Sequence, residues 1–211
     1  MLVDMSLKEF IEKVSSSEPV PGGGSVAALC ATLSIALIEM VLRLTTKKGD
    51  SEVPESQIST LIDKASCLKE ELTKEIDRDA RAFANVMEAY RLPKGTELEK
   101  KVRLEAIEKA LKEATIVPME VAEKAFQLLE LSRYVVQYGN RNAITDSAVS
   151  AILARGAAIA ALYNVRINLA SIKDSDFKKE MEIRSHRLEK DAIKEEQEIL
   201  KRATRIMTEA D

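Results

Sequence analysis

The sequence contains no tryptophan, only 4% aromatic residues, and few residues that break helices. Among its 211 residues there are 7 glycines and 5 prolines. Sheet proteins are richer in aromatic and β-branched side chains, so this composition argues against a sheet fold. With 45% hydrophobic and 32% charged residues, the chain can bury a core of ordinary size, and we predict a single domain over residues 1–211.

Cysteines and targeting signals are also scarce. Cys30 and Cys67 match no metal-binding or redox spacing, and their apolar, helical surroundings predict two reduced, buried thiols. The first ten residues, MLVDMSLKEF, contain no basic segment followed by an apolar core, so we expect no signal peptide. The most apolar stretch, 26–38, is interrupted by Glu39 and is too short to span a bilayer. We therefore expect a cytoplasmic protein that does not contact a membrane.

Neither positive nor negative residues are in large excess. The net charge is −3, and no block of lysine or arginine stands alone, so nucleic acid is not expected as a partner. A small ligand with negative groups remains compatible with this balance, because net charge does not fix local charge. The one histidine, His186, lies beside Arg184 and Arg187, which indicates a solvated helix face and no metal site.

Three signals mark where helices begin. Ser6 with Glu9 forms a capping box, and Thr96 with Glu99 forms a second one. Asp174 is predicted to cap a long, strongly charged helix near the end of the sequence. Because no strand pattern or internal repeat is present, the sequence predicts an all-α bundle of about six helices.

Two further predicted helices are unusually apolar. One runs from Ser25 to about Thr45, and the segment KKGD that follows should end it. The other runs from Ser147 to about Ser171, is capped by Asp146, and is apolar nearly all round. Since a helix without a polar side has no face for water, we expect the second of these to be the most buried.

Apolar residues also recur at helical spacing through two long segments. The first segment has Pro54 at its first helical position. Its predicted inward stripe consists of Ile58, Leu61, Ile62, Ala65, Leu68, Leu72, Ile76, Phe83, Met87 and Tyr90. The second stripe consists of Ile107, Leu111, Ala114, Val121, Ala125 and Leu128. Pro118 falls inside the second segment, where a proline should kink or interrupt the helix.

Asp79 falls on the first of these stripes. It follows Ile76 by three residues, whereas Asp77 points about 100° further round, toward the polar side. A carboxylate on an inward face must be hydrogen-bonded, paired or neutralised, and burial raises its pKa toward the range that suits a general acid or base. The pattern alone leaves a structural ion pair or cap and a proton-transferring residue equally open.

Arg103 and two asparagines are also polar residues on apolar faces. Arg103 could pair with Asp79, bind a ligand carboxylate through two hydrogen bonds, or extend to solvent from a helix end. Asn164 and Asn168 lie four residues apart on one face of the apolar helix. Buried amides need partners, which here are hydrogen bonds between helices or contacts with a ligand ring, and the pattern favours the first.

Three consecutive glycines, Gly22, Gly23 and Gly24, precede Ser25 at a predicted helix start. Glycines let the backbone approach a ligand closely, and the free N–H groups of the helix start would face that ligand. The segment is neither a P-loop nor a dinucleotide fingerprint. The alternative is a tight turn that packs against the alanine-rich helix.

Six segments together resemble one family. They are PGGGSVAALCATLSIALIEMV (21–41), DRDARAF (77–83), AYRLPKGTELEKKVR (89–103), VPMEVAE (117–123), GNRNAITD (139–146) and NVRINL (164–169). In this order they resemble the cyclodeaminase domain of the formiminotransferase-cyclodeaminase family, over almost the whole chain and without the formiminotransferase half. Thr145 is one departure, since the family more often has serine before the aspartate.

The resemblance implies an all-helical, dimerising fold and a tetrahydrofolate derivative as substrate, with no metal, nucleotide or other cofactor. The implied reaction converts 5-formimidoyltetrahydrofolate to 5,10-methenyltetrahydrofolate with release of ammonia. The family's catalytic aspartate falls on the second aspartate of DRDARAF, which is Asp79.

A folate substrate makes further residues candidates for binding it. We expect the segment from Gly22 to Ser25 to contact the folate or its glutamate tail, and Lys94 and Arg103 to bind the carboxylates of the tail. Additional polar lining is expected from Asn140, Asp146, Asn164 and Asn168.

Two alternative functions stay open. Similar stand-alone proteins are thought to be methenyltetrahydrofolate cyclohydrolases, which act at the same one-carbon centre with water in place of ammonia. The chain could also be a helical folate-binding protein without catalytic activity.

Overall fold

A computed structural model describes residues 1–46 and 53–209 of the chain. Within these residues the chain forms six α-helices and no β-strand, which confirms the predicted all-α class. The helices are α1 (Leu7–Val14), α2 (Gly23–Thr46), α3 (Glu55–Arg91), α4 (Glu97–Tyr138), α5 (Ile144–Leu169) and α6 (Ser175–Thr208). Short 3-10 turns at Leu2–Asp4 and Arg141–Ala143 precede α1 and α5.

The capping signals are confirmed at three helix starts. Both predicted capping boxes form, at Ser6 and at Thr96. The Asp174 side chain accepts hydrogen bonds from the backbone of α6, as predicted. Pro54 lies one residue earlier than expected, as the residue that precedes α3. The KKGD segment predicted to end α2 lies outside the described residues.

The helices form a layer with α4 packed across one side. In this layer the order is α3, α2, α5 and α6, since α2 packs on both α3 and α5, and α5 also packs on α6. Helices α2 and α5 are antiparallel, because the Ser34 hydroxyl donates to the Ser150 carbonyl and Asn140 lies beside Leu44. Fully buried alanines line both helices, which lets their backbones approach closely.

The other side of α2 and α5 carries exposed apolar side chains. On α5, Val149, Ile152, Tyr163 and Ile167 are exposed. Buried residues number 10 of 26 on α5 and 12 of 24 on α2, so the expectation that α5 would be the most buried helix is wrong. By length and composition alone, Gly23–Thr46 and Arg141–Leu169 could each cross a membrane, a test that core helices of soluble proteins also pass.

The predicted inward stripe of α3 is confirmed only in its first half, before Asp79. Ile58, Ala65, Leu68, Leu72 and Ile76 are buried as predicted. Beyond Asp79 the buried positions are instead Ala82, Val86 and Ala89, and the predicted Phe83, Met87 and Tyr90 are exposed. The periodicity permitted either continuation, and the small residues face inward because they let α3 pack closely on its neighbours.

The cysteine prediction needs a correction. Both thiols are free, but Cys67 is exposed and Cys30 is only partly buried. Burial raises the pKa of Cys30 above its ordinary value. Cys67 faces outward because it falls between the inward Ala65 and Leu68 on α3.

Pro118 neither ends nor interrupts its helix, because α4 continues from Glu97 to Tyr138. A proline has no backbone N–H, so the carbonyl one turn earlier, that of Ala114, loses its helical partner. The Asn168 side chain supplies the missing donor, with its Nδ2 atom 2.6 Å from the Ala114 oxygen. Asn168 thus satisfies a buried backbone group across the α4–α5 interface.

This arrangement predicts a coupling between Asn168 and Pro118. Replacing Asn168 by alanine should lower the free energy of unfolding by about 1–3 kcal/mol, because the Ala114 carbonyl would be left without a partner. In a Pro118→Ala background the same change should cost clearly less, because residue 118 then donates its own N–H. Urea denaturation of the four proteins of this double-mutant cycle measures the difference. Equal losses in the two backgrounds would contradict the assignment.

Candidate active site

The site is built where the start of α2 meets the middle of α3. The buried Ser25 hydroxyl lies 3.0 Å from Asp79 Oδ2 and 2.9 Å from the carbonyl oxygen of Ile76, so its proton can go to either acceptor. The backbone N–H of Ser25 also donates to the Asp79 carboxylate. Asp79 is therefore held by the free N–H end of a long helix, which favours a carboxylate there.

Burial is the larger influence on Asp79. It raises the pKa of this carboxyl group above its ordinary value, and the two hydrogen bonds from Ser25 offset only part of the shift. A carboxyl group with a raised pKa exchanges its proton more readily near neutral pH than an exposed aspartate does. Among the described residues, Asp79 is the aspartate for which burial raises the pKa, and it is hydrogen-bonded without being ion-paired.

The glycines provide the space for this contact. A Cβ atom on Gly24 would lie 1.9 Å from Asp79 Oδ1, so no other residue fits there without moving the carboxylate. A Cβ on Gly23 would lie 3.4 Å from Asn164 Nδ2, and one on Gly22 would make only an ordinary contact. Gly23 and Gly24 belong to the first turn of α2, so the prediction that the helix begins at Ser25 is late by two residues.

Asn164 is another predicted site residue that lies beside the glycine segment. It lies on α5 beside Gly23, and its Nδ2 atom donates to the Ala160 carbonyl of its own helix at 2.9 Å. The structure therefore brings together Asp79, Ser25, Asn164 and the glycine segment. Asn168, one turn further along α5, is committed to the Ala114 carbonyl.

Asp77 was expected to face solvent, and this expectation is wrong. Its side chain is buried, and its Oδ1 atom accepts a hydrogen bond of 2.7 Å from the backbone N–H of Leu2. The first residues of the chain pack on α3 and cover this position, which the periodicity of α3 could not show. The two aspartates thus have different surroundings. Asp77 binds the backbone of the N-terminal segment, whereas Asp79 contacts Ser25 at the start of α2.

Arg103 does not pair with Asp79, so that alternative is wrong. Its guanidinium group donates to the Tyr90 carbonyl at 3.0 and 3.3 Å and lies over the Tyr90 ring, 5.7 Å from its centre. Tyr90 is roughly 16 Å along α3 from Asp79, at 1.5 Å per residue. Arg103 lines a groove of about 1410 Å³ between the end of α3 and the start of α4, and the exposed Lys94 lies in the turn between these helices.

Asn140 and Asp146 lie at the opposite end of the bundle. Asn140 donates to the Leu44 carbonyl and accepts from the backbone of Asn142, so it ties the 3-10 turn to the end of α2. Leu44 is roughly 30 Å along α2 from Ser25. Asp146 does not cap α5 as predicted, because the helix already begins at Ile144 and Asp146 lies in its first turn.

The sequence patterns did not predict a network of ion pairs that lies beside Asp79. Glu75, one turn before Asp79, is buried and accepts from Lys124 on α4 at 2.9 Å. Arg78 pairs with Glu75 and also reaches Glu120 on α4. The signal for this network was a glutamate next to Ile76 on the inward side of α3. These ion pairs fix α3 against α4 around the position of Asp79.

The chain matches one described family along most of its length. Residues 6–187 match the family described as Formiminotransferase-cyclodeaminase. The chain is 35% identical over 175 residues to methenyltetrahydrofolate cyclohydrolase of Methylorubrum extorquens, covering 83% of this chain and 84% of that protein. It is 36% identical over 177 residues to formimidoyltransferase-cyclodeaminase of Mus musculus, covering 84% of this chain but 33% of that protein. The chain thus spans about a third of the length of the mouse protein.

A solved structure also matches closely. The crystal structure of formiminotetrahydrofolate cyclodeaminase from Thermotoga maritima superposes with a TM-score of 0.86 at 30% sequence identity. The match covers 98% of this chain and 100% of that one.

The contact between Gly24 and Asp79 predicts an unusual response to alanine. Exposed helical glycines normally gain stability on replacement by alanine. Gly24→Ala should instead lower the free energy of unfolding by about 1–3 kcal/mol, because the added methyl group displaces the Asp79 carboxylate. Gly22→Ala is the matched control and should change it by less than about 0.5 kcal/mol. Urea denaturation decides, and a Gly24→Ala protein more stable than the wild type would contradict the contact.

Proposed function

We propose that this chain, which belongs to the formiminotransferase-cyclodeaminase family, cyclises 5-formimidoyltetrahydrofolate to 5,10-methenyltetrahydrofolate and releases ammonia. The observation that carries the proposal is Asp79, a carboxyl group with a raised pKa at the N-terminus of α2. The match to the Thermotoga maritima cyclodeaminase, which covers 98% of this chain and 100% of that one, supports it.

The reaction requires one proton to move between two nitrogens. In the substrate, the formimino carbon is bonded to N5 of the folate, and N10 attacks this carbon to close the five-membered ring. N10 must then lose its proton, and the amino group of the tetrahedral intermediate must gain one before the C–N bond breaks and ammonia leaves. In the proposed mechanism Asp79 takes the proton from N10 and gives it to the leaving amine, so it ends the reaction in its starting state.

The neighbours of Asp79 would position the substrate. The glycine segment lets the folate approach the backbone, and the N–H groups at the start of α2 can donate to it. Asn164 lies next to Gly23 and offers an amide to a ring edge. Ser25 holds the carboxylate in place, so that the same atom faces both nitrogens.

Methenyltetrahydrofolate cyclohydrolase is the second candidate function. It is favoured by the similarity to the Methylorubrum extorquens protein, which extends over most of both chains. In that reaction water adds to the methenyl carbon, and the bond between this carbon and N5 breaks to give 10-formyltetrahydrofolate and a proton. Asp79 would then accept the proton of the attacking water. A folate-binding protein without catalysis is the third candidate.

Ammonia release distinguishes these candidates. We expect purified protein to release ammonia from 5-formimidoyltetrahydrofolate in step with the absorbance of the methenyl product. Asp79→Asn should lower kcat by about 10²–10⁴, because the proton has no carrier. Asp77→Asn, two residues away, is the matched control and should keep kcat near the wild-type value.

Each other outcome has a definite meaning. Loss of added methenyltetrahydrofolate above its background rate, without ammonia release from the formimidoyl substrate, would replace the proposal by the cyclohydrolase function. Folate binding without either reaction would leave a binding protein. A normal kcat in Asp79→Asn would remove Asp79 from the mechanism.

We also propose that Lys94 and Arg103 bind the glutamate tail of the folate and that the chain acts as a homodimer without a cofactor. Arg103 lines the groove at the end of α3, and the exposed Lys94 lies in the turn that follows this helix. Lys94→Gln should raise the Kd of a polyglutamylated folate several-fold more than that of the monoglutamate, because only the longer tail carries the additional carboxylates. Titration calorimetry with both ligands measures this difference, and equal losses would contradict the assignment.

A further inference from the structure

The Ser25 hydroxyl has two acceptors within reach and only one proton to give. Its oxygen lies 2.9 Å from the carbonyl oxygen of Ile76 and 3.0 Å from Asp79 Oδ2. Ser25 is 0% exposed, so bulk water does not compete for either contact. A hydroxyl donates one hydrogen bond and can accept two. The proton of Ser25 therefore serves one of the two acceptors at a time.

The charge on Asp79 decides which acceptor is the better one. An ionised carboxylate accepts a stronger hydrogen bond than a neutral carbonyl group does. Once the carboxyl group is protonated, this advantage is lost. The Ile76 oxygen lies inside α3, where it already accepts a backbone N–H, and its second lone pair is free to take the hydroxyl.

No charged group competes with Ser25 for Asp79. Four charged residues lie within one turn of Asp79 on its own helix, namely Glu75, Asp77, Arg78 and Arg81. Glu75 and Arg78 are paired with each other and with Lys124 and Glu120 of α4. Asp77 binds the N-terminal backbone, whose amino group pairs with Asp4, and Arg81 is exposed. Helices α2 and α5 present uncharged groups here, which are Gly24, Ser25 and Asn164.

We propose that Ser25 is a positioning residue whose hydroxyl turns from Asp79 to the Ile76 carbonyl when Asp79 gains a proton, and turns back when that proton leaves. In the ionised state the Ser25 O–H donates to Asp79 Oδ2. In the protonated state the Ser25 O–H donates to Ile76, and the Ser25 oxygen accepts the carboxyl O–H of Asp79. Asp79 is then hydrogen-bonded at the same place in both states.

The consequence for catalysis rests on the proposed function, whereas the hydroxyl movement does not. A residue that takes a proton from N10 and gives it to the leaving amine must keep its position in both forms. The backbone N–H of Ser25 only donates, so it favours the charged form of Asp79 alone. The hydroxyl both donates and accepts, so it holds either form.

The contact with the charged form is tested by titrating Asp79. In protein labelled with ¹³C at the aspartate carboxyl groups, the signal missing from Asp79→Asn identifies this residue. Its midpoint should move to higher pH in Ser25→Ala, because the stronger of the lost hydrogen bonds is the one to the carboxylate. Ser34→Ala is the matched control, since Ser34 is also a fully buried serine of α2, and its hydroxyl donates to the Ser150 carbonyl. An unchanged midpoint in Ser25→Ala would overturn the proposal.

The movement toward Ile76 is tested in the absence of the carboxyl group. In an Asp79→Ala background the Ile76 carbonyl is the remaining acceptor, so adding Ser25→Ala should still lower the urea midpoint of unfolding. If Ser25 served Asp79 alone, the second substitution would cause no further loss. That result would overturn the two-acceptor movement.

Turnover measures the consequence for the reaction. Ser25→Ala should lower kcat about 10–100-fold with little change in KM, because Asp79 is held less well. The rising limb of its pH–rate profile should move to higher pH together with the titration midpoint. Ser25→Cys keeps a side chain of similar size but donates weakly, so it should behave like Ser25→Ala. A normal kcat in either variant would overturn the positioning role. If the wild type turns over neither substrate, the proposed function fails, but titration and denaturation still decide the hydroxyl movement.

Discussion

The contact between the start of α2 and Asp79 is the constraint on which the site depends. The carboxylate lies so close to the backbone that residue 24 has no space for a side chain, and Ser25 holds it with a hydroxyl and a backbone N–H. This contact fixes the position of α2 relative to α3. It also explains one of the three consecutive glycines, Gly24, in a protein that has only 7 glycines.

The burial of Asp79 beside α2 has a cost in stability for its charged form. Because burial raises the pKa of Asp79 above its value in the unfolded chain, the folded protein holds this proton more tightly. The associated stability is present at low pH and is lost as the pH rises through the raised pKa. Asp77, a residue of the same type two positions away, shows that a carboxylate on this helix can serve the fold, since it binds the backbone N–H of Leu2. A carboxyl group kept at a position that disfavours its charge is typical of an active site.

Local sequence rules predicted the helices well, because caps and periodicity act over a few residues. The capping boxes at Ser6 and Thr96 and the cap at Asp174 all form as expected. The rules failed where a distant segment decides which side of a helix is covered. Asp77 is buried by the first residues of the chain, and the ring of Phe83 faces outward because smaller residues pack against the neighbouring helices. The inward position of Asp79 followed from the stripe, but its contact with α2 and its distance from Asp146 did not, since spacing along a chain does not show which ends of two helices meet.

Helix α5 shows both what a local pattern predicts and what it does not. Its sequence has no polar side, which predicts the most buried helix of the bundle, but a sequence pattern does not show which sides the rest of the chain covers. Within one chain, α2, α4 and α6 cover three sides, and the side with Ile152, Gly156 and Tyr163 stays open. The apolar pattern therefore overstates how much of α5 the chain itself buries, because a pattern records the polarity of each side of a helix and not what packs against it.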